Sequence, residues 1–572
     1  MASTAATMDA ELIAQAQALV DRMRPREMAR AGMMFPGEEF VPVVSYPDLT
    51  MYPEAEPDAL LSSAEHRADS PTAAYVHIPF CANRCAFCHW VLTANAPTDR
   101  VDAYLDVLAK EMDLATRFRG QDRIPVNTAL FGGGTPSYLT PRQLERVMND
   151  FVRHFDLSAC DQFSFEAEPA SLLGDEGAAK LRILKDYGVH RISLGVQSFD
   201  PAVLKIMARP HDRNEALEAI AAIKNAGFES TSIDLIYGYP EQSVQSWIET
   251  MRTAVASGAD AWHLYRLRIR RYGEKQGVIL RQFHDRPDAF PEVDRIRLMK
   301  ALGYVISENF GYKQHFSRIF ATDKRHISGY MVDYATRMTD VIGLGPSSWS
   351  NHYRTFTQNL GADFAAYEQS VKDGRLPIFK GIYRDDETEM RRCFISPLKH
   401  DRVYKAAFKA RTGVEVLDHY GAEIERLAPL GLIDQDDESI FMTERGRFFG
   451  DEVAMQFFQR RFLPVPDFAH DLMPAQGASG FDVRTSSVTD FENVILSATK
   501  DPVTNTRRRV RCVKHRKFIE ARTQPLSTGR GSDSSSPRLK PPERSDAHQG
   551  YSNNATACRI ACDPSVRRDY AA

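Results

Sequence analysis

Cysteine is scarce in this chain: eight residues in 572, spread unevenly. So few exclude a disulfide framework as the source of stability. No apolar run approaches the ~18 residues that cross a bilayer. No apolar segment follows a basic start, so a signal peptide is not expected either. These absences point to a protein of the reducing cytoplasm. Charge excess is small too, at −4, but uneven. Residues 481–572 hold 17 Lys and Arg against 10 Asp and Glu, which leaves −11 for the rest. That tail has few periodic apolar positions and reads as a basic, disordered segment, a solvated extension rather than a nucleic-acid site. What is abundant is hydrophobic residues, 43% of the chain, enough for a large core.

Three of the cysteines sit together. The segment 75–90 reads Y-V-H-I-P-F-C-A-N-R-C-A-F-C-H-W. Cys81, Cys85 and Cys88 stand in C-x3-C-x2-C spacing directly after a short apolar strand. Three thiolates on one tight loop can hold three irons of a [4Fe–4S] cluster and leave the fourth open. Zinc wants a closed set of four or a water-bearing His site, and no His pair is near. The alternative is three buried structural cysteines. Cys160 and Cys393 are each alone in their segments and read as structural.

After a first helix over 9–28 and a Pro-rich stretch, a regular alternation begins. Strand-like runs fall at 74–78, 128–131, 162–166, 191–196, 230–236 and 262–267. Helix-period segments fall at 98–117, 141–155, 178–187, 214–226 and 242–256. The spacing of roughly 30–50 residues matches βαβ units. Six units predict an α/β fold, a parallel sheet curled into a partial (β/α)6 TIM-like barrel.

Polar and Gly-rich signals gather where these strands end, on the rim where barrel sites are built. The cysteines follow the first strand and F-G-G-G-T-P-S the second. F-E-A-E-P closes the third, G-V-Q-S-F-D follows the fourth, and I-D-L-I-Y-G-Y-P-E-Q closes the fifth. Gly132, Gly133 and Gly134 remove side chains where backbone N–H groups would meet a ligand. Glu166 could accept from a cationic amino group, and Asp234 from ribose hydroxyls. Each could equally be an ordinary turn or loop residue. Arg266, Arg268, Arg270 and Arg271 crowd the end of the sixth strand. Alternation would put the first three on one face, suited to an anion or to solvent.

The phrases Y-V-H-I-P-F-C, F-G-G-G-T-P, G-V-Q-S-F, S-I-D-L-I-Y-G-Y-P, D-V-I-G-L-G-P-S-S and M-T-E-R-G-R resemble the radical S-adenosylmethionine (SAM) superfamily. Within it they resemble the HemN-like group of oxygen-independent coproporphyrinogen III oxidases and relatives, from about residue 40 to about 460. The resemblance implies a radical SAM barrel with its following segment over 71–380 and a small, mainly helical HemN-type C-terminal domain over 381–477. Residues 1–70 become an extension and 478–572 the tail. It implies that Cys81, Cys85 and Cys88 hold the cluster. It also implies that Tyr75, Gly133, Gly134, Thr135, Glu166, Gln197, Arg209 and Asp234 contact SAM. A reduced cluster would cleave SAM to a 5′-deoxyadenosyl radical that abstracts hydrogen from a small-molecule substrate. The electron would come from a donor such as flavodoxin or ferredoxin.

Two departures shape the expected reaction. Cys88 is followed by His89 and Trp90, where the oxidases have x-Cys. Residues 325–331, R-H-I-S-G-Y-M, replace the H-N-N-x-Y-W of the haem chaperones. The pattern therefore resembles the class C methyltransferases and cyclopropanases, which use a second SAM on an sp2 carbon of a natural product. By analogy that second SAM would sit near the glycine-bearing loop 343–348. An oxidative or haem-modifying tetrapyrrole enzyme and a haem-delivery protein are the alternatives.

Overall fold

The computed structural model describes residues 2–34, 43, 45–48, 51–62, 71–269, 278–361 and 363–463. All of these lie in one unit, 1–501. The expected tail, with Arg270 and Arg271, lies outside the described residues.

The alternation expected from the sequence is present. In order come β1 (Thr72–Ile78), α1 (Thr98–Arg119), β2 (Thr128–Gly133), α2 (Pro141–His154), β3 (Gln162–Ala167), α3 (Gly174–Asp186), β4 (Arg191–Gln197), α4 (Arg213–Asn225), β5 (Ser230–Tyr237), α5 (Val244–Ala256) and β6 (Ala261–Arg266). These strands are buried on both faces, which is why they read as continuous apolar runs rather than as strict alternation. Local chemistry sets the helix starts: Thr140 and Gln143 form a capping box, with Pro141 in the first turn of α2. A second capping box, Asp212 with Glu215, opens α4.

One helix was expected over 9–28. The chain instead forms helices Ala2–Met23 and Pro25–Arg30. Arg24 takes a left-handed conformation at φ 49, and Pro25 can only begin a helix there, not continue one.

Beyond β6 come α6 (Val293–Asn309), β7 (Lys313–Phe316), β8 (Ile319–Ala321), β9 (Asp340–Leu344), β10 (Trp349–His352), β11 (Thr355–Asn359), β12 (Ile378–Tyr383) and α7 (Asp386–His400). One 12-stranded sheet runs β7-β8-β6-β5-β4-β3-β2-β1-β9-β10-β11-β12. β1 to β6 are parallel and laid down in sequence order, and β9 adds in parallel beside β1. The flanking β8–β7 and β10–β12 segments are antiparallel. β7 and β12 end the sheet without pairing to each other, so the barrel is partial.

Aromatic packing fixes the outer layer of this arc. Phe131 and Phe163 meet Phe151 of α2 at ring separations of 5.1 and 5.6 Å. The C-terminal segment is less purely helical than expected. A three-stranded antiparallel sheet, Arg402–Tyr404, Ser439–Met442 and Ile433–Gln435, stands beside its helices. It docks through Ser317 N–H on the His400 carbonyl and Lys300 Nζ on the Phe448 carbonyl. Its helix α7 carries a buried ion network: Arg384 Nε on Glu389 Oε2 at 2.6 Å and Arg392 Nη2 on Glu389 Oε1 at 2.9 Å.

Candidate active site

The cysteine loop is pinned at both ends. Phe80–Cys81 pairs with Thr93–Ala94, and Asn95 N–H donates to the Cys81 carbonyl at 2.8 Å. Within it, Cys88 N–H reaches the Cys85 carbonyl, and Ala86 N–H reaches Met207. Cys81 Sγ lies 3.2 Å from Thr135 Oγ1, and Arg209 Nη1 donates to Cys85 Sγ at 3.0 Å. Burial pushes the Cys81 thiol up to about 11 and raises Cys88, while each feels the charge of the neighbouring thiols. Cys81 and Cys88 are therefore protonated on their own, and binding a metal must displace those protons. Among the described residues no three His, Cys, Asp or Glu side chains form a ready-made metal group. The donor set nevertheless suits an iron–sulfur cluster: three free thiols on one anchored loop, none in a disulfide.

The glycine motif differs from expectation in an instructive way. A side chain at Gly132 would meet Glu166 Oε2 at 2.7 Å, and one at Gly133, at φ +110, the His77 ring at 2.6 Å. A side chain at Gly134 would meet the Ile78 and Phe80 carbonyls at 2.8 Å. The glycines let the chain pack on itself. Their N–H groups are not left open to a ligand: Gly133 donates to Glu166 Oε2, Gly134 to Ile78 and Thr135 to Phe80.

Around this packing the expected residues converge on the barrel interior. Glu166 and Tyr75 both border Gly132. Burial, with help from the nearby Asp234 charge, lifts Glu166 up to about 7. Burial lifts Asp234 to about 6, against the pull of Arg191 and Arg209. Tyr75 donates to or accepts from His77 Nδ1 at 3.1 Å, and its ring lies 5.9 Å from Tyr330, within the segment that replaces the chaperone signature. Gln197 stands at a register shift with φ 68, a strained backbone for a residue with a side chain. Arg209 bridges the Cys85 thiol and the Gly195 carbonyl.

Several groups escaped the sequence reading. Glu168, two residues after Glu166, holds His211 Nδ1 at 2.9 Å and stands 3.8 Å from Arg209. The second acid of F-E-A-E-P was the available signal. His263 lies opposite Asp234 in the β5–β6 register, its Nδ1 3.5 Å from Asp234 Oδ1 and 2.9 Å from the Tyr265 hydroxyl. Burial holds this imidazole well below its ordinary range, so it is neutral. Asp234 Oδ1, His263 Nε2, Arg191 Nη2 and Arg209 Nε are buried without a hydrogen-bond partner among the described residues. Native interiors rarely tolerate such orphans unless a ligand or water completes them.

Two expectations change. β6 ends at Arg266, so Arg268 lies beyond it and does not share a strand face with Arg266. In the loop 343–348 the glycines hold the chain against itself rather than opening a cradle. The space beside Gly343 is filled by Trp349 backbone, and that beside Gly345 by the His77 carbonyl and Tyr104 hydroxyl. Gly345 N–H is bound to buried Glu111 at 2.8 Å.

Comparison with known proteins agrees with this geometry. Residues 75–254 match the radical SAM superfamily, and residues 385–449 match the HemN C-terminal domain. The oxygen-independent coproporphyrinogen III oxidase of Pseudomonas aeruginosa is 27% identical over 417 residues, covering 70% of this chain and 87% of the relative. That of Escherichia coli K12 is 27% identical over 435 residues, covering 72% and 92%. The heme chaperone HemW of Lactococcus lactis is 27% identical over 397 residues, covering 68% and 97%. The solved structure of Escherichia coli coproporphyrinogen III oxidase (HemN) shares the fold, with TM-score 0.63 at 24% identity over 72% of this chain and 95% of that one. The chain therefore carries a radical SAM region followed by a HemN C-terminal region, and the radical SAM match implies a [4Fe–4S] cluster and SAM as cofactors. Among the described residues no helix is long and apolar enough to cross a membrane.

Proposed function

We propose that this protein oxidises the carboxylated side chains of a tetrapyrrole, in the manner of the coproporphyrinogen III oxidases it resembles. Each reacting propionate would become a vinyl group with loss of CO2, one hydrogen atom passing to the 5′-deoxyadenosyl carbon and the remaining electron to an external one-electron acceptor. The observation that carries this reading is the anchored three-thiol loop set beside a barrel interior with unpaired polar atoms. The presence of both the barrel and the HemN C-terminal domain supports it.

Cys81, Cys85 and Cys88 would hold the cluster. Once loaded, cluster and SAM would supply a carbon radical by one-electron cleavage, with the electron drawn from a flavodoxin- or ferredoxin-like donor. The chain's own part is orientation. Tyr75, Gln197, Asp234 and Glu166 would line the SAM site, with Asp234 accepting from ribose. Because their N–H groups are spent, Gly133 and Gly134 would offer carbonyl oxygens to an ammonium group beside Thr135, whose carbonyl already accepts from Tyr138 N–H. Arg209 would keep its hold on the cluster loop, or turn to the SAM carboxylate. The walls around Phe80, Tyr104 and Tyr239 are buried and apolar, which keeps water from the reacting atoms.

The test is anaerobic reconstitution with dithionite, SAM and coproporphyrinogen III. Formation of 5′-deoxyadenosine together with a product lighter by CO2 and two hydrogens is the expected result. S-adenosylhomocysteine, with methyl label moved into deoxyadenosine, would instead support the two-SAM methylation expected from the sequence. Tight haem binding without any SAM cleavage would support haem delivery.

A further inference from the structure

Arg318 occupies the turn between β7 and β8, where its carbonyl accepts from Leu264 N–H of β6. Its guanidinium lies 5.5 Å from the Tyr265 ring centre. Tyr265 is a residue of the barrel interior, bonded through its hydroxyl to His263 beside Asp234. Arg318 is half-buried, and its guanidinium has no hydrogen bond or ion pair among the described residues.

Its surroundings are cationic. Arg318 and Arg266 both depress the Lys300 ammonium, which burial has already lowered to about 8, and Arg318 depresses Lys399 as well. The acids facing this group are Asp451 and Glu452. Asp451 is engaged, with Lys399 Nζ at 2.6 Å and Val43 N–H at 2.8 Å. Glu452 is raised by burial and by Asp451, so it resists holding a second negative charge. Lys300 spends itself on the Phe448 carbonyl and on the faces of Tyr304 and Phe448. Asp451 is held down by the Arg318 charge as well as by Lys399, but no hydrogen bond or ion pair among the described residues joins it to the Arg318 guanidinium. A half-desolvated guanidinium without a hydrogen-bonded partner is costly, and a carboxylate is its natural complement.

We infer that Arg318 is a specificity residue: it binds a carboxylate of the substrate at the β6 end of the barrel, with Tyr265 beneath its guanidinium. This rests on the tetrapyrrole reading for the identity of the ligand, but not for the anion site itself. Arg318 touches neither the cysteine loop nor the residues set around SAM. It would hold a side chain that is not reacting and so choose among substrates by their acidic groups.

The test uses the cluster-reconstituted full chain with SAM, and coproporphyrin III or its tetramethyl ester as optical probes. R318Q should bind coproporphyrin III at least tenfold more weakly than the parent, R318K should fall between them, and the ester should not distinguish the three. In parallel, phenylglyoxal labelling of Arg318 is followed by mass spectrometry, with and without glutarate. Equal binding by parent and R318Q would overturn the inference while leaving the tetrapyrrole reading standing. No porphyrin binding by the parent, with Arg318 still protected by glutarate, would keep the anion site and overturn the substrate reading. Protection by neither glutarate nor coproporphyrin III would overturn the anion site outright.

Discussion

Glu166 in the barrel interior and Glu389 in the C-terminal domain are both carboxyl groups drawn away from water, yet they end on opposite sides of the ordinary range. Glu166 receives one backbone N–H and sits near another acid, so burial wins and lifts it to about 7. Glu389 is gripped by the Arg384 and Arg392 guanidiniums, which hold it well below the usual carboxylate range. Glu111 lies between these extremes in partners but not in outcome. It accepts from Tyr367, Asn359 and Gly345, all neutral, and still rises to about 7. Neutral donors do not offset desolvation here, whereas full charges do. The C-terminal junction answers its buried carboxylate with two full opposite charges, although Arg384 Nη1 itself has no hydrogen-bond partner among the described residues. The barrel interior is left short of partners, which is the signature of a place that completes itself with a ligand.

The most severe way to test the barrel side is to remove its metal donors. C81A, C85A or C88A should abolish both the brown absorbance of the reconstituted protein and SAM cleavage, since three thiolates are the minimum set for this cluster. Retained cleavage in any of them would break the cluster assignment. On the junction side, E389Q leaves Arg384 and Arg392 buried beside a neutral group. Their side chains are essentially inaccessible to solvent. The expected loss is about 3–5 kcal/mol of stability, read as a lowered denaturation midpoint with the cluster loop untouched. A loss under about 1 kcal/mol would show that this network is not the anchor it looks like.

Glu111 tests the intermediate case through pH. Its folded-state carboxyl holds a proton more tightly than the unfolded chain's, so stability should fall as pH rises from about 4.5 to about 7 and level off above. The full swing is about 3 kcal/mol. E111Q should flatten that window in denaturant titrations across pH. A slope unchanged by E111Q would assign the decline to another group.

What could be read in the sequence follows from the same physics. Strands and helices were legible because two-sided burial writes long apolar runs and capping boxes mark helix starts. The cysteine loop was legible because all three donors sit within eight residues. The break at Arg24 was carried by a single Pro25, which one apolar periodicity can hide. Glu168 with His211 was hidden because the partners lie 43 residues apart. Arg384 likewise reaches Asn351 and His352, across two intervening strands of chain. The glycines of both loops have a packing role that the sequence did not show. At Gly133 and Gly345 the missing side chain makes room for His77 and Tyr104 of the protein itself, and a sequence records only that room is needed.

The smallest effect is the one that most sharpens the contrast. E166Q removes a carboxyl that burial and Asp234 push up, so the variant should lose no stability at pH 8 and gain about 1 kcal/mol, partial solvent access discounting the rest. The sign is opposite to that of E389Q. SAM binding, followed by equilibrium dialysis on the reconstituted protein, should weaken about tenfold, because an amide offers an ammonium group one neutral acceptor in place of a charged one. A variant that gains stability and loses SAM would mark Glu166 as a group kept for its ligand at the fold's expense. A variant that loses stability as E389Q does would place Glu166 with the structural acids and move the SAM site elsewhere on the rim.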